Sequence, residues 1–456
     1  MTFHRNLSLL TVAGILLLNA VSPPAEAQET LERINVQLPE TDNGLPGAGP
    51  IRRYDWFKNL WLKRRTEFQL KAPEQQNAVV FLGDSITQGW GHDFRNSFPD
   101  LKVANRGISG DTTRGMLIRL QEDVLSLNPK AVVLLMGTND LEEGASPETI
   151  AGNFELIIQA LKKHSKEMPI VVCNVFPSSA TKKRSAADIR EINERYADVV
   201  RGDDQVTVVD TWTLFANEQG DAKASEFPDL LHPNQQGYEK WAAALRPIFA
   251  TLKLIEREPE PFEPEDGFRS LFNGQDLTGW GYRPTSDQMR KARARWHERD
   301  PNAPPWPIVE EAQSFDGKQQ TPDGRYQVIN GRLVVTTPSE GRKIQQLWTT
   351  EEFPQNFVLR LEFRATPNAD SGVFIRQPQL QCRDYVLAGP YKELSKYRPQ
   401  EWNELEITVT GGTARCTCNG EVLEEAFKLP ATGPIGLEGD RGQMEYRRIR
   451  IKTQPR

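Results

Sequence analysis

A chain of 456 residues is longer than one hydrophobic core usually organises, so two domains are expected, each burying a core of its own. Its formal net charge of -6 excludes the basic stripe that binding to nucleic acid or an anionic membrane requires, and neither partner is expected. Four cysteines over this length cannot form a disulfide framework.

The chain opens on Arg5, the apolar run LLTVAGILLLNAV and the small-residue exit Ala25-Glu26-Ala27, the order of a secretory signal. Residues 1–27 are therefore read as a cleaved leader and the protein as periplasmic or secreted. The run is shorter than the ~20 residues of a spanning helix, and no later segment is apolar enough to span, so no membrane anchor is expected after cleavage. Residues 28–50, ending in LPETDNGLPGAGP, read as a flexible tether. From Tyr54 to Leu70 the spacing of Trp56, Phe57, Leu60, Trp61 and Phe68 predicts an amphipathic helix packing on the α/β region C-terminal to it.

Within residues 51–255, short apolar runs (AVVFLG, LKVAN, AVVLLMG, PIVVCNV, QVTVVD) alternate with helical patterns. Continuous rather than alternating hydrophobicity marks strands buried on both faces, hence a parallel sheet in a three-layer α/β domain, with a flavodoxin-like order expected. In one helix Ser146 caps, Pro147 suits the first turn, and Ile150, Phe154, Ile157 and Leu161 form the apolar stripe. Cys173 falls in a strand and reads as a small buried residue.

Residues 256–266, acid- and proline-rich, read as a linker. From Gly267 to the end the period becomes two: Phe357, Leu359, Leu361 and Phe363 alternate with Arg360, Glu362 and Arg364, and NELEITVT repeats the pattern. Asn330-Gly331 and Asn419-Gly420 each predict a tight hairpin turn. The domain 267–456 is thus expected to be an antiparallel β sandwich, with a charged, proline-rich insertion of a helix plus irregular loop over about 287–323. Cys416 and Cys418 share one face of a strand, where either can meet Cys382; a bridge and three reduced core thiols remain equally open.

A serine esterase needs a base for the hydroxyl proton, a group orienting that base, and donors for the oxyanion. Of the five histidines, His4 leaves with the leader, His164 ends a helix, His297 lies in the charged KARARWHERD, and His92 lies on a loop without a carboxylate arranged for it. His232 differs: Asp229 precedes it by three residues in PDLLHPNQQGYEKW, close enough to fix its tautomer, and Asn234 caps the next helix. Ser85 ends the first strand, at the edge where parallel sheets collect ligands.

Four motifs in order, GDSIT, NRGISGDTT, GTND and DLLHP, resemble those of the SGNH (GDSL-type) hydrolases across the whole first domain. The resemblance implies Ser85 as nucleophile, Asp229 and His232 as acid and base, and an oxyanion hole from the Ser85 and Gly110 N–H groups and the Asn139 amide. Leu230 stands where that family often has Gly, which bears on the loop's shape. No HExxH, Asp-rich loop or P-loop appears, and no metal or cofactor is called for.

In the second domain SLFNGQDLTGW, SGVFIRQPQLQCRDY, WNELEITVTGG and GPIGLEGDRGQMEYRRIRIK resemble the concanavalin-like jelly-roll family of 3-keto-disaccharide hydrolases. The family implies a carbohydrate ligand, with Trp280, Trp348 and Trp402 as exposed stacking candidates and Asp384, Glu438 and Asp440 as polar site groups. GLEGDRG lacks the His expected of related sequences, and no catalytic role is carried over. The function expected is an exported esterase removing acyl, chiefly acetyl, groups from an acylated carbohydrate or other small ester. The alternatives are a lysophospholipase or platelet-activating-factor acetylhydrolase-like lipid esterase, and a non-catalytic glycan-binding protein.

Overall fold

The computed structural model describes residues 36–255, 259–301 and 305–454. The expected leader, residues 1–27, lies outside the described residues. Five parallel strands, β1 (Val79–Gly83), β2 (Val103–Gly107), β3 (Ala131–Leu135), β4 (Ile170–Cys173) and β5 (Val206–Val209), form one sheet in the order β2-β1-β3-β4-β5. This is the flavodoxin-like order, one strand for each apolar run. The runs are unbroken because each strand feeds two cores. Val80 and Leu82 of β1 face one core with Phe154, Ile157 and Ile192, while Val79 and Phe81 face the other with Trp90, Trp241 and Phe249. Each large side chain so buried contributes roughly 1.5–3 kcal/mol.

The helices that matter for the site are α1 (Asp55–Lys71), α2 (Ser85–Gly89), α3 (Thr138–Glu142), α4 (Pro147–His164), α5 (Ala186–Val199) and α6 (Gln235–Thr251). In α4 the Ser146 side chain accepts from Thr149 N, and Ile150, Phe154, Ile157 and Leu161 are buried. Helix α1 buries Phe57, Trp61 and Phe68 around Ile108, but Trp56 does not join them and stays 52% exposed, a correction to the expected stripe.

The reading of residues 28–50 as a flexible tether also needs correcting for the described part, 36–50. It is irregular yet pinned. Asn153 brackets Ala48, accepting its N–H at 2.9 Å and donating to its carbonyl at 2.8 Å, and Arg114 Nη1 donates to Gly49 O at 2.9 Å. Side chains of the folded domain supply the partners that a Pro/Gly-rich backbone cannot supply for itself.

The second domain is two facing antiparallel sheets. One runs, in spatial order, Glu421–Lys428, Thr413–Cys418, Asn403–Thr410, Asn356–Ala365, Met444–Gln454, Arg332–Val335 and Tyr326–Ile329, with Arg269–Ser270 paired to Met444–Gln454. The other runs Gln379–Gln381, Gly372–Ile375, Ile435–Gly439, Gln345–Thr349, Trp280–Tyr282 and Gln313–Ser314. Along Asn356–Ala365 buried and half-buried residues alternate without a break. Both Asn-Gly pairs close two-residue hairpins with positive φ at each position (49° and 72°; 48° and 81°), as a type I′ turn demands. The insertion carries helix α7 (Asp287–Arg299). All four cysteines are buried and unpaired, which settles the open choice over Cys382, Cys416 and Cys418 in favour of free thiols.

Of the six carbohydrate candidates, Trp280 is fully buried, its Nε1 donating to Leu271 O at 2.8 Å, and Asp384 is fully buried as acceptor for Asn368 N, Tyr397 and Gln400. Trp348 is half-buried against Phe374 on the smaller sheet, and Trp402, just ahead of the Asn403–Thr410 strand, lies between the Arg364 and Arg447 guanidiniums. Asp440 is buried and paired with Arg342. The six therefore do not form one exposed binding face: a backbone carbonyl takes the Trp280 N–H, and arginines take Trp402 and Asp440.

Glu438 is buried beside Gln379 and Gln346, and that burial, with the Asp440 and Asp370 charges, raises its carboxyl from 4.5 to about 8. A raised folded-state value stabilises fully below about 4.5 and is lost as pH climbs through about 8. The melting temperature of the sandwich is expected to fall between pH 5 and pH 9, and Glu438→Gln is expected to flatten that slope; an unchanged slope in thermal melts of the variant would refute the assignment.

Candidate active site

Ser85 is the first residue of α2, at the carboxyl end of β1, with Asp84 as the cap accepting from Ile86 N at 2.9 Å. His232 lies in the loop before α6, whose own cap is Asn234. Two contacts hold α2 and α6 together: the Tyr238 hydroxyl donates to Ile86 O at 2.8 Å, and Trp90 stacks on Trp241 with centroids 4.4 Å apart. The result is a line of three groups. His232 Nε2 lies 2.9 Å from Ser85 Oγ, and Nδ1 lies 2.7 Å from Asp229 Oδ2.

Asp229 also accepts the backbone N–H groups of His232 at 2.7 Å and Leu231 at 3.1 Å through Oδ1. Desolvation works against its charge, but those bonds and the imidazole outweigh it and hold the carboxyl below its ordinary value. It stays ionised and fixes Nδ1 as the protonated nitrogen, leaving Nε2 free to accept from the serine. Leu230 reaches this geometry at φ 60°, a left-handed conformation that glycine adopts without strain.

The other two motifs are stitched to the first. Ser109 N donates to Gln88 Oε1 of α2 at 2.7 Å, and Asp140 accepts both the Thr113 N–H (3.0 Å) and its hydroxyl (2.6 Å). Asn139, buried on α3, donates one amide hydrogen to Asp111 O at 3.0 Å. Its Oδ1 accepts from Arg184 Nη2 at 3.1 Å, so the flip state of the amide is set and a second N–H remains to donate. Burial lifts the carboxyls of Asp84 and Asp111 to about 6 and of Asp140 to about 7.

Sequence reasoning missed Arg184 and Arg52. Arg184, just ahead of α5, also donates to Thr138 O at 2.9 Å and to Glu142 at 2.8 Å. Arg52 pairs with Glu142 and, at 2.7 Å, with Glu143. Burial opposes the Glu142 charge, yet Arg184 and Arg52 hold the carboxyl below its ordinary value. No sequence signal marks these residues, because each sits in a charged stretch that reads as solvated surface. His92, by contrast, faces Arg64 and Glu67 on α1, and His297 lines a small cleft with Trp296 and Trp306; neither meets Ser85.

The triad stands half exposed in an open rim. A cavity of about 380 Å³ lies instead where the C-terminal end of α6 meets the sandwich, lined by Arg246 and Ala250 together with Arg364, Trp402 and Arg447, and neither Ser85 nor His232 lines it. Among the described residues no cluster of His, Cys, Asp and Glu is arranged to hold a metal ion.

A rim of this kind on a flavodoxin-like sheet defines an acyl-transfer hydrolase domain, and residues 81–240 match the GDSL-like lipase/acylhydrolase family. Residues 267–452 match the 3-keto-alpha-glucoside-1,2-lyase-like domain. The chain therefore carries a GDSL-like acylhydrolase domain followed by a 3-keto-alpha-glucoside-1,2-lyase-like sandwich, and by its first domain it is an ester-bond hydrolase. Among curated proteins it is similar to platelet-activating factor acetylhydrolase IB subunit alpha2 of Homo sapiens, 29% identical over 203 residues, covering 44% of this chain and 87% of that one. The alpha1 subunit of Bos taurus is 27% identical over 202 residues, covering 43% of this chain and 85% of its own length. Among solved structures, a GDSL-like lipase from Bacteroides thetaiotaomicron aligns at 24% identity and a TM-score of 0.37, covering 41% of this chain and 98% of its own.

Gly110 takes φ +87°, and a Cβ there would lie 2.6 Å from Trp56 and 3.0 Å from Arg52 Nη1. Gly110→Ala is expected to destabilise the first domain by about 1–2 kcal/mol from the left-handed backbone alone. Chemical denaturation checks this, and an unchanged midpoint would refute it.

Proposed function

We propose that the protein is an exported serine esterase that removes acyl groups, chiefly acetyl, from carbohydrate. The observation that carries this reading is the 2.9 Å contact between His232 Nε2 and Ser85 Oγ, with Asp229 behind the imidazole. His232 takes the serine proton as Oγ attacks the ester carbonyl, and the charge that develops on oxygen meets the N–H groups of Ser85 and Gly110 and the free amide hydrogen of Asn139. His232 then protonates the departing alcohol, leaving an acyl-Ser85. Water enters through the same base and releases the acid. Asp229 orients the imidazole and stabilises its cation, and Arg184 positions Asn139.

Carbohydrate is favoured as the alcohol by the open rim around Ser85 and by the carbohydrate-associated domain fused to it. Export is supported by the basic start, apolar run and small-residue exit of residues 1–27. A second reading, hydrolysis of platelet-activating-factor-like lipids, draws on the name of the relatives that are 29% identical.

Ser85→Ala is expected to lower kcat by about 10⁴-fold or more with the fold intact, and Asn139→Ala by roughly 10²- to 10³-fold. Arg184→Met is expected to lower kcat roughly 10- to 100-fold while KM hardly moves, because only the aim of the amide is lost. Steady-state kinetics on acetylated xylan, acetylated monosaccharides and short-chain lysolipids checks all three; unchanged turnover in Ser85→Ala discards the mechanism, and preference for lysolipid discards the substrate.

A further inference from the structure

We infer that Trp56 and Tyr54 form a stacking subsite for the sugar ring that bears the ester, built by a segment of chain ahead of the region that matches the acylhydrolase family. Both side chains keep about half their surface in solvent (52% and 54%), and their rings lie nearly parallel, 10° apart with centroids at 6.4 Å. A contiguous aromatic pair left this exposed marks a recognition feature when it stands at a site. Trp56 does stand there: the outer edge of its indole lies against Gly110, the residue whose N–H the proposed mechanism assigns to the oxyanion. An ester carbonyl held by Gly110 therefore has an aromatic face beside it.

The pair is fixed rather than loose. Trp56 is braced edge-on by Phe57, with centroids 5.6 Å apart, and Tyr54 Oη reaches Glu143 at 3.5 Å. Arg52, buried next to them, locks the segment to Glu142 and Glu143 at the end of α3, the helix that carries Asn139. The aromatic faces and the oxyanion donors are thus held by one short ion-paired network, and Arg184 closes it from the other side through Glu142.

Glu142 pairs with Arg52 and Arg184, and Glu143 with Arg52, so in this network two anions face two cations. A neutral pyranose fits so balanced a setting: its C–H face packs on indole and phenol, and Arg52 Nη1, which donates to nothing among the described residues, lies against Gly110 within reach of a ring hydroxyl. The inference rests on the reading of Ser85 as nucleophile in a carbohydrate esterase and places the sugar ring of that substrate on Trp56 and Tyr54.

The test uses the full chain and two acetates, an acetylated xylo-oligosaccharide and an acyclic alkyl acetate that offers no ring to stack. Trp56→Ala is expected to lower the ratio of kcat/KM for the sugar ester over the acyclic one about tenfold, and Trp56→Phe to recover most of it. Binding of deacetylated xylo-oligosaccharide to Ser85→Ala, measured by calorimetry, is expected to weaken by a similar factor when Trp56→Ala is added. An unchanged ratio in Trp56→Ala would overturn the subsite. Full activity in Ser85→Ala would instead overturn the nucleophile, and the calorimetric comparison still decides the subsite because it needs no turnover.

Discussion

The contact between Ser85 and His232 joins residues 147 positions apart, and everything else in the first domain works to keep it short. Neither residue is held by its own loop alone. Ser85 is set at the start of α2 by β1, and α2 is pressed on β2 so closely that a side chain at Gly107 would collide with Gln88. His232 is set by α6, whose Tyr238 reaches back to α2 and whose Trp241 stacks on Trp90. The aromatic layer between the two helices is thus a spacer, and the distance from Ser85 to His232 is set by how it packs.

Much of this arrangement is legible in the amino-acid order itself. The five strands are legible because burial on both faces leaves an unbroken apolar run, and both hairpins because Asn-Gly satisfies two successive positive φ angles. Ser85, Gly110, Asn139, Asp229 and His232 are legible because four motifs occur in a fixed order, and the fold brings Ser85, Asp229 and His232 into one line. Pairing across long separations stays hidden. Arg52 and Arg184 lie 132 positions apart and meet only through Glu142. Exposure is the other blind spot: helical spacing puts Trp56 in a buried stripe although it is exposed, and Trp280 reads as an exposed stacking face although it is buried, because the sequence does not say which carbonyl an indole N–H will find.

The two domains also share polar contacts. Asn368 donates to Asp210 at 2.7 Å, the same carboxylate that caps the short helix after β5, and the buried Gln443 amide donates to Pro247 O at 3.2 Å. Leu387 of the sandwich packs on the core that contains Trp90 and Trp241. The second domain therefore packs on the core that includes this aromatic layer and reaches the C-terminal part of α6.

The buried thiols carry a last implication. Burial raises Cys173, Cys416 and Cys418 to about 12, so the reactive thiolate is suppressed at each. With its four cysteines buried and unpaired, the fold needs no oxidant to form and offers reductants nothing to cleave.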